Sequence, residues 1–252
     1  MKTSSKIWAP LLSFIFLMLL LELLVRQNII QAFILPAPSE VLSSLITDSK
    51  ELFEAGLLTA INAAFGLLLS FVLGSAIAIV LSLSRWLRDA IYPFAVFFQT
   101  VPVIALAPVL VIWFGFGSPT VIASAFIVSV FPVIASVLLG IESTDPMLVD
   151  LFRIYQATRF QILFKLRLRA ALPQIFSGLR IASGLAVIGA VVGEFVAGSG
   201  LGSVVDSART QQRIDKVFAA IVISSFIGLI FVTFINFLSR RTLKDWHASE
   251  RP

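Results

Sequence analysis

Residues 57–83 pass without one charged side chain, and similar apolar runs recur at 7–25, 91–116, 120–141, 181–197 and 217–238, interrupted only by Glu22 and Glu194. A helix rises 1.5 Å per residue, so runs of this length match the ~30 Å hydrocarbon layer of a bilayer. Inside that layer every backbone N–H and C=O must be bonded within the protein, which leaves helices or a closed barrel. Long runs without strict alternation are helices. The expected fold is all-α: a polytopic membrane protein with about six transmembrane helices, one domain over residues 1–252.

Composition then removes classes of chemistry. Only 13% of residues are charged and mean hydropathy is +1.00, whereas a soluble domain is about a quarter charged. Cysteine is absent and His247 is the single histidine, so disulfides, thiolate metal sites and imidazole catalysis have almost nothing to work with. No paired acids or metal-ligand spacing stand out, and we expect neither a cofactor nor enzymatic activity. The net charge of +5 reflects surplus Lys and Arg. In a membrane chain these set orientation rather than bind nucleic acid.

Taken in order, residues 7–25 follow Lys2 and Lys6 and form the first span; no small-residue cleavage site follows at Arg26-Gln27-Asn28, so we expect a retained span, with a cleaved signal peptide as the lesser alternative. Ser39 after Pro38 predicts an interfacial helix carrying Val41, Leu42, Leu45, Ile46, Leu52 and Phe53. Gly66, Ser70, Gly74 and Ala78, four apart on the second span, allow a close helix contact. The third span holds Pro102 and Pro108, whose missing N–H groups leave carbonyls that only protein or a wet cavity can satisfy. A bent helix beside a passage is expected there. Gln99 either faces that passage or bonds to another helix. The fourth span contains Pro132, a possible kink, and the fifth is rich in Gly and Ala. Glu194 in the fifth span needs a partner, a wet cavity or a proton, which makes it a pathway candidate with a structural ion pair as the alternative. The GSGLG run at 198–202 lacks a following Lys and is expected to be a turn at the membrane face, with the charged residues at 206–216 as solvated loop.

Residues 142–180 are the long polar break. Leu148, Leu151, Phe152 and Tyr155 stand at i, i+3, i+4 and i+7, an apolar stripe on a short helix outside the membrane, and Arg159, Lys165, Arg167 and Arg169 follow. Such a stripe packs on its own protein or enters a partner's groove, while the basic residues alone would suit anionic lipid. With six spans, 14 Lys and Arg fall on the side of this loop and both termini, and 5 on the other. The richer side is expected to be cytoplasmic.

Between Asp150 and Pro173 the sequence resembles the binding-protein-dependent ABC transporter permeases, whose loop motif reads E-A-A-x3-G-x9-I-x-L-P. Asp150 stands at the acid, Leu151 and Phe152 at the alanines, Gln156 at the glycine, Leu166 and Leu168 at the apolar pair, and Arg169 at the proline. Glycine tolerates positive φ and glutamine does so poorly, so the bend between the two short helices hangs on Gln156. FILPAPSEVL, QTVPVIALAPVLVIWFGFG and GLRIASGLAVIGAVVGEFVAGSGLG extend the likeness to the permeases of nitrate, taurine, sulfonate and thiamine-pyrimidine-precursor importers. The resemblance implies a type I ABC importer permease fold in the bacterial inner membrane and a passage made by two copies within membrane lipid. It also implies two cytoplasmic ATP-binding subunits gripping the loop and an extracytoplasmic substrate-binding protein. Asp150, Leu151, Phe152, Tyr155, Gln156, Leu166 and Leu168 would carry the coupling; Gln99, Pro102, Pro108 and Glu194 are assigned to the pathway from burial chemistry. The chain has no G-x-x-x-x-G-K-[ST] loop of its own, so hydrolysis would belong to another polypeptide. The rival, a self-sufficient carrier or channel, would need coupling charges or a filter within the membrane, where Glu194 is nearly alone.

Overall fold

The computed structural model describes residues 5–244, so Lys2, His247 and most of the polar tail lie outside the described residues. The helices are α1 (Ser5–Arg26), α2 (Pro38–Thr47), α3 (Ser49–Leu83), α4 (Arg85–Thr100), α5 (Val103–Phe114) and α6 (Ser118–Glu142). After them come α7 (Pro146–Ile154), the short turns α8 (Arg159–Gln161) and α9 (Leu168–Ala170) around a π-helical segment Ile162–Arg167, then α10 (Leu172–Ala197), α11 (Gly200–Thr210) and α12 (Ile214–Leu243). Among the described residues, α3, α6, α10 and α12 are long and apolar enough to cross a membrane. The first expected span corresponds to α1, and the third to the pair α4–α5.

The bundle is organised on α6, which packs against α3 on one side and α10 on the other. The contacts are close because the facing residues are small. A Cβ on Gly66 would meet the Ala125 Cβ and the Ile122 carbonyl, one on Gly74 would meet Val133, and one on Gly189 would lie 2.9 Å from both Ala125 Cα and the Ser124 carbonyl oxygen. Between these contacts Ser70 Oγ lies 3.1 Å from the Phe126 carbonyl oxygen and 2.6 Å from Ser129 Oγ, and Ser124 Oγ donates to the Gly189 carbonyl (2.8 Å). In lipid, where apolar surface gains little by leaving solvent, such backbone proximity and hydrogen bonding hold helices together.

Two expectations shift at the helix boundaries. The interfacial helix ends at Thr47, and Leu52 and Phe53 belong to α3, which begins a turn before them. The third span is two helices: Pro102 caps α5 with φ −62° and ψ 117°, an extended geometry that breaks the ladder, whereas Pro108 and Pro132 sit inside unbroken helices. At 1.5 Å per residue, α4 and α5 extend ~24 and ~18 Å, so the break lies at membrane depth.

The end of the bundle remote from the 142–180 loop is tied by ions. Arg213 donates to both Asp48 oxygens (3.0 and 2.7 Å) and to Asp215 (2.8 Å), and the nearly buried Lys216 bonds Glu51 at 2.7 Å. The Arg213 guanidinium holds the Asp48 carboxyl down at about 2. The segment expected to be a solvated loop is therefore a helix, α11, followed by a clamp joining the start of α12 to the α2–α3 junction. Asp206 and Arg209 pair with each other on α11, while Arg213 and Lys216 find acids that are far away in sequence and adjacent in space.

Candidate coupling surface and passage

Asp145 caps α7, its side chain accepting from the Met147 amide at 2.8 Å, and Pro146 fills the first-turn position where no N–H is needed. The helix ends in a Schellman motif: the Gln156 amide donates to the Arg153 carbonyl (2.9 Å) and the Ala157 amide to the Phe152 carbonyl (3.0 Å). That motif demands a left-handed residue at Gln156, and Gln156 has φ +56°. The chain thus makes at glutamine the bend for which glycine is the less strained residue. Thr158 immediately caps the next segment, exchanging bonds with Gln161: the Thr158 amide donates to Gln161 Oε1 (2.9 Å) and the Gln161 amide to Thr158 Oγ1 (3.3 Å). Gln156→Gly should relieve about 1 kcal/mol of left-handed strain, offset in part by the greater freedom of glycine in the unfolded chain. It should leave the helix ends unchanged; slower amide exchange at Ala157 would register it, and markedly faster exchange there would contradict it.

The exposed face of α7 differs by a small rotation from the stripe expected. Met147, Leu148, Leu151, Ile154 and Tyr155 are exposed, the last two at 77% and 79%, so that of the expected stripe only Phe152 turns inward. Val149 is buried and Phe152, one turn on, is half-buried, so the loop's own structure takes that side. Asp150 is exposed and pairs with Arg153 (3.0 Å). Leu166 and Leu168 are half-buried, and Leu168 packs against the core cluster to which Leu81, Ile141, Leu163 and Ala171 belong. Residues 159–197 consequently form a nearly continuous helical rod. Its wide π turn, marked by the Leu168 amide donating to the Leu163 carbonyl, runs through Ala171 into α10.

Of the residues assigned to the pathway, Gln99, Pro102 and Pro108 are exposed on the α4–α5 pair, Gln99 and Pro102 flanking the break. α5 packs on α6 and α10. Glu194 is elsewhere. It is fully buried near the far end, where Oε2 accepts from Thr59 Oγ1 of α3 (2.8 Å) and from the Gly202 amide of α11 (3.1 Å). Thr59 Oγ1 also accepts from the Leu201 amide (3.0 Å), so one carboxylate and one hydroxyl join three helices. No cation pairs with Glu194 among the described residues. Its partners are a hydroxyl and one amide in the first turn of α11, not the ion pair the sequence suggested as the alternative.

One open surface was missed by sequence reasoning. α10 buries Ala182, Ala186, Gly189, Ala190 and Gly193, and leaves Ser177, Arg180, Ile181 and Ile188 exposed, with nothing within 4 Å of a Cβ on Gly184. Arg180 lies two turns inside α10, not in the loop as residue counting implied. The 3–4 spacing of these residues was the available signal; the abundance of small residues obscured which face was open.

Comparisons with known proteins agree with this geometry. Residues 66–244 match the family model described as binding-protein-dependent transport system inner membrane component. The chain is 36% identical over 233 residues to a probable ABC transporter permease protein of Haemophilus influenzae, covering 92% of this chain and 95% of that one. It is 37% identical over 232 residues to the formylaminopyrimidine transport permease protein of Halalkalibacterium halodurans (91% and 92%), and 32% identical over 225 residues to a putative aliphatic sulfonates transport permease protein of Bacillus subtilis (88% and 81%). In fold it is similar to a chain of an inward-facing methionine ABC transporter, with TM-score 0.64 and 18% identity over 76% of this chain and 94% of that one. With the small-residue bundle, the capped loop helix and the matched region all on one polypeptide, the chain belongs to the inner-membrane permease family of binding-protein-dependent ABC transport systems.

Proposed function

We propose that this permease, a transport subunit and not an enzyme, couples a separate ATPase to its passage through α7, and that the loop end faces the cytoplasm. The carrying observation is mechanical. An exposed apolar stripe on α7 is held at a capped, strained turn to a helical rod that continues into α10. A partner that grips Met147, Leu151, Ile154 and Tyr155 therefore moves α10 rather than a slack loop. Asp150, Gln156, Leu166 and Leu168 set the angle and seat the rod, and Phe152 holds the helix from its inner side.

Two copies of the chain enclose the passage, with the open faces of α5 and α10 lining it, Gln99 and Pro102 flanking the break between α4 and α5, and Pro108 further along α5 on the same exposed side. ATP binding closes the two ATPase subunits, the loop helices follow, and the passage opens toward an extracytoplasmic binding protein. The cargo is a small polar or anionic organic solute, of the sulfonate, taurine or nitrate class or the thiamine-pyrimidine-precursor class; the relatives named for formylaminopyrimidine and aliphatic sulfonates support this range. Glu194 is better supported as a structural junction than as a pathway group.

Reconstitution tests the reading. Vesicles holding this chain together with an ATPase subunit and a binding protein should accumulate solute only when ATP is supplied to the loop side. Uptake by the chain alone, without ATP, would show a self-sufficient carrier and end the proposal.

A further inference from the structure

Two cavities open beside each other at the loop end of the bundle. One, of about 270 Å³, lies between the ends of α3 and α6 and is lined by Arg85, Arg88, Glu142 and Arg167 among others. The second, of about 440 Å³, lies between the end of α3 and the loop and is lined by Arg153, Arg159 and Arg167 with Val149, Ile162 and Leu163. They share Ser82 and Arg167. Five arginines thus surround a space whose walls contribute one acid, Glu142, already paired with Arg88. Arg88 also bonds Asp89, and Arg153 is paired with Asp150. No ion pair occupies Arg85, Arg159 or Arg167 among the described residues, and Arg167 Nε is buried with no hydrogen-bond partner.

A buried guanidinium N–H without an acceptor is costly, and an arginine fork matches the paired oxygens of a phosphate. We infer that the two cavities form a binding site for the phosphate of an anionic lipid headgroup. Its position selects the lipid. The walls include Leu81 and Ser82 at the end of α3 and Ile141 at the end of α6, where the apolar spans stop, whereas the stripe available to a soluble partner lies on the opposite, outward side of α7. Acyl chains can rest on the apolar bundle while the headgroup enters the arginines. A lipid held there braces the π segment against α3 and steadies the rod that carries α7. The inference rests on the membrane placement proposed above, and its test needs neither transport nor ATP, so the two can fail separately.

The experiment titrates phosphatidylglycerol into the delipidated full chain in a zwitterionic detergent, following bound lipid by native mass spectrometry. Arg167→Gln should weaken binding by about five-fold, and Arg85→Gln with Arg167→Gln by about twenty-five-fold. Lys165→Gln, which removes the same charge from an exposed position outside both cavities, should leave binding unchanged. Equal loss in Lys165→Gln would reduce the effect to diffuse surface attraction and overturn the site, as would unchanged binding in the double variant. Full displacement of the lipid by millimolar inorganic phosphate would overturn the lipid as occupant in favour of a soluble phosphate. If Arg167→Gln does not fold, Arg85→Gln with Arg159→Gln, both at exposed positions, carries the same expectation.

Discussion

Gly202→Ala is expected to destabilise the folded chain by about 3 kcal/mol, a loss large enough to lower the amount of assembled protein several-fold. The added Cβ would fall against the Val191 carbonyl oxygen, 2.7 Å from the Phe195 amide nitrogen and 2.7 Å from the Glu194 Cβ. Two of these are backbone atoms of α10, which cannot rotate away. The only relief is to lift α11 off the bundle, and that breaks the bond from the Gly202 amide to Glu194 and the bond from the Leu201 amide to Thr59. Glu194→Ala attacks the same junction from the other side. It leaves the Thr59 hydroxyl only the Ala55 carbonyl (3.0 Å) as acceptor and the Gly202 amide buried and unpaired, at a cost of roughly 1–3 kcal/mol. Thermal unfolding of the detergent-solubilised chain measures both. If Glu194→Ala keeps the wild-type melting temperature and loses only solute uptake, Glu194 belongs to the pathway after all and the junction is not its role.

The second large effect is expected at α7. Ile154→Asp together with Tyr155→Ala should reduce ATPase association at least thirty-fold, about the 2 kcal/mol that a central interface residue contributes. Both side chains are more than three-quarters exposed in the isolated chain, so their loss should leave the melting temperature within about a degree of wild type. Phe152→Ala should behave differently. Phe152 is half-buried, so its removal should weaken association and also loosen the loop, visible as faster amide exchange in α7. Normal recovery of the ATPase with the Ile154 and Tyr155 variant would remove α7 as the coupling surface. Equal, purely stability-based losses in both variants would say that the stripe is structural.

Much of this was legible before any coordinates. Apolar run length gave the helices, because a bilayer admits few other ways to satisfy the backbone. The four-residue spacing of Gly66, Ser70, Gly74 and Ala78 gave a close contact, since lipid leaves close packing as a main source of adhesion. The loop's stripe and motif spacing raised the expectation of a docking helix. Other features depended on distance in space. Sequence reading left open whether Gln156 would bend like glycine; the paired Schellman and Thr158 caps hold it at positive φ, since together they over-determine the turn.

The sequence by itself determined the class, most of the helical spans and the short amphipathic helix of the polar break, because hydropathy and helical periodicity are local properties of the chain. Only the tertiary structure decided what the isolated charges do. Glu194 reads from sequence as a lone acid in lipid, yet it is bonded to Thr59, 135 positions away. Arg213 and Lys216 read as solvated, yet they close on Asp48 and Glu51 across 165 positions. A buried charge is stabilised by whichever polar atoms the fold brings within about 3 Å, and linear spacing carries no record of that distance.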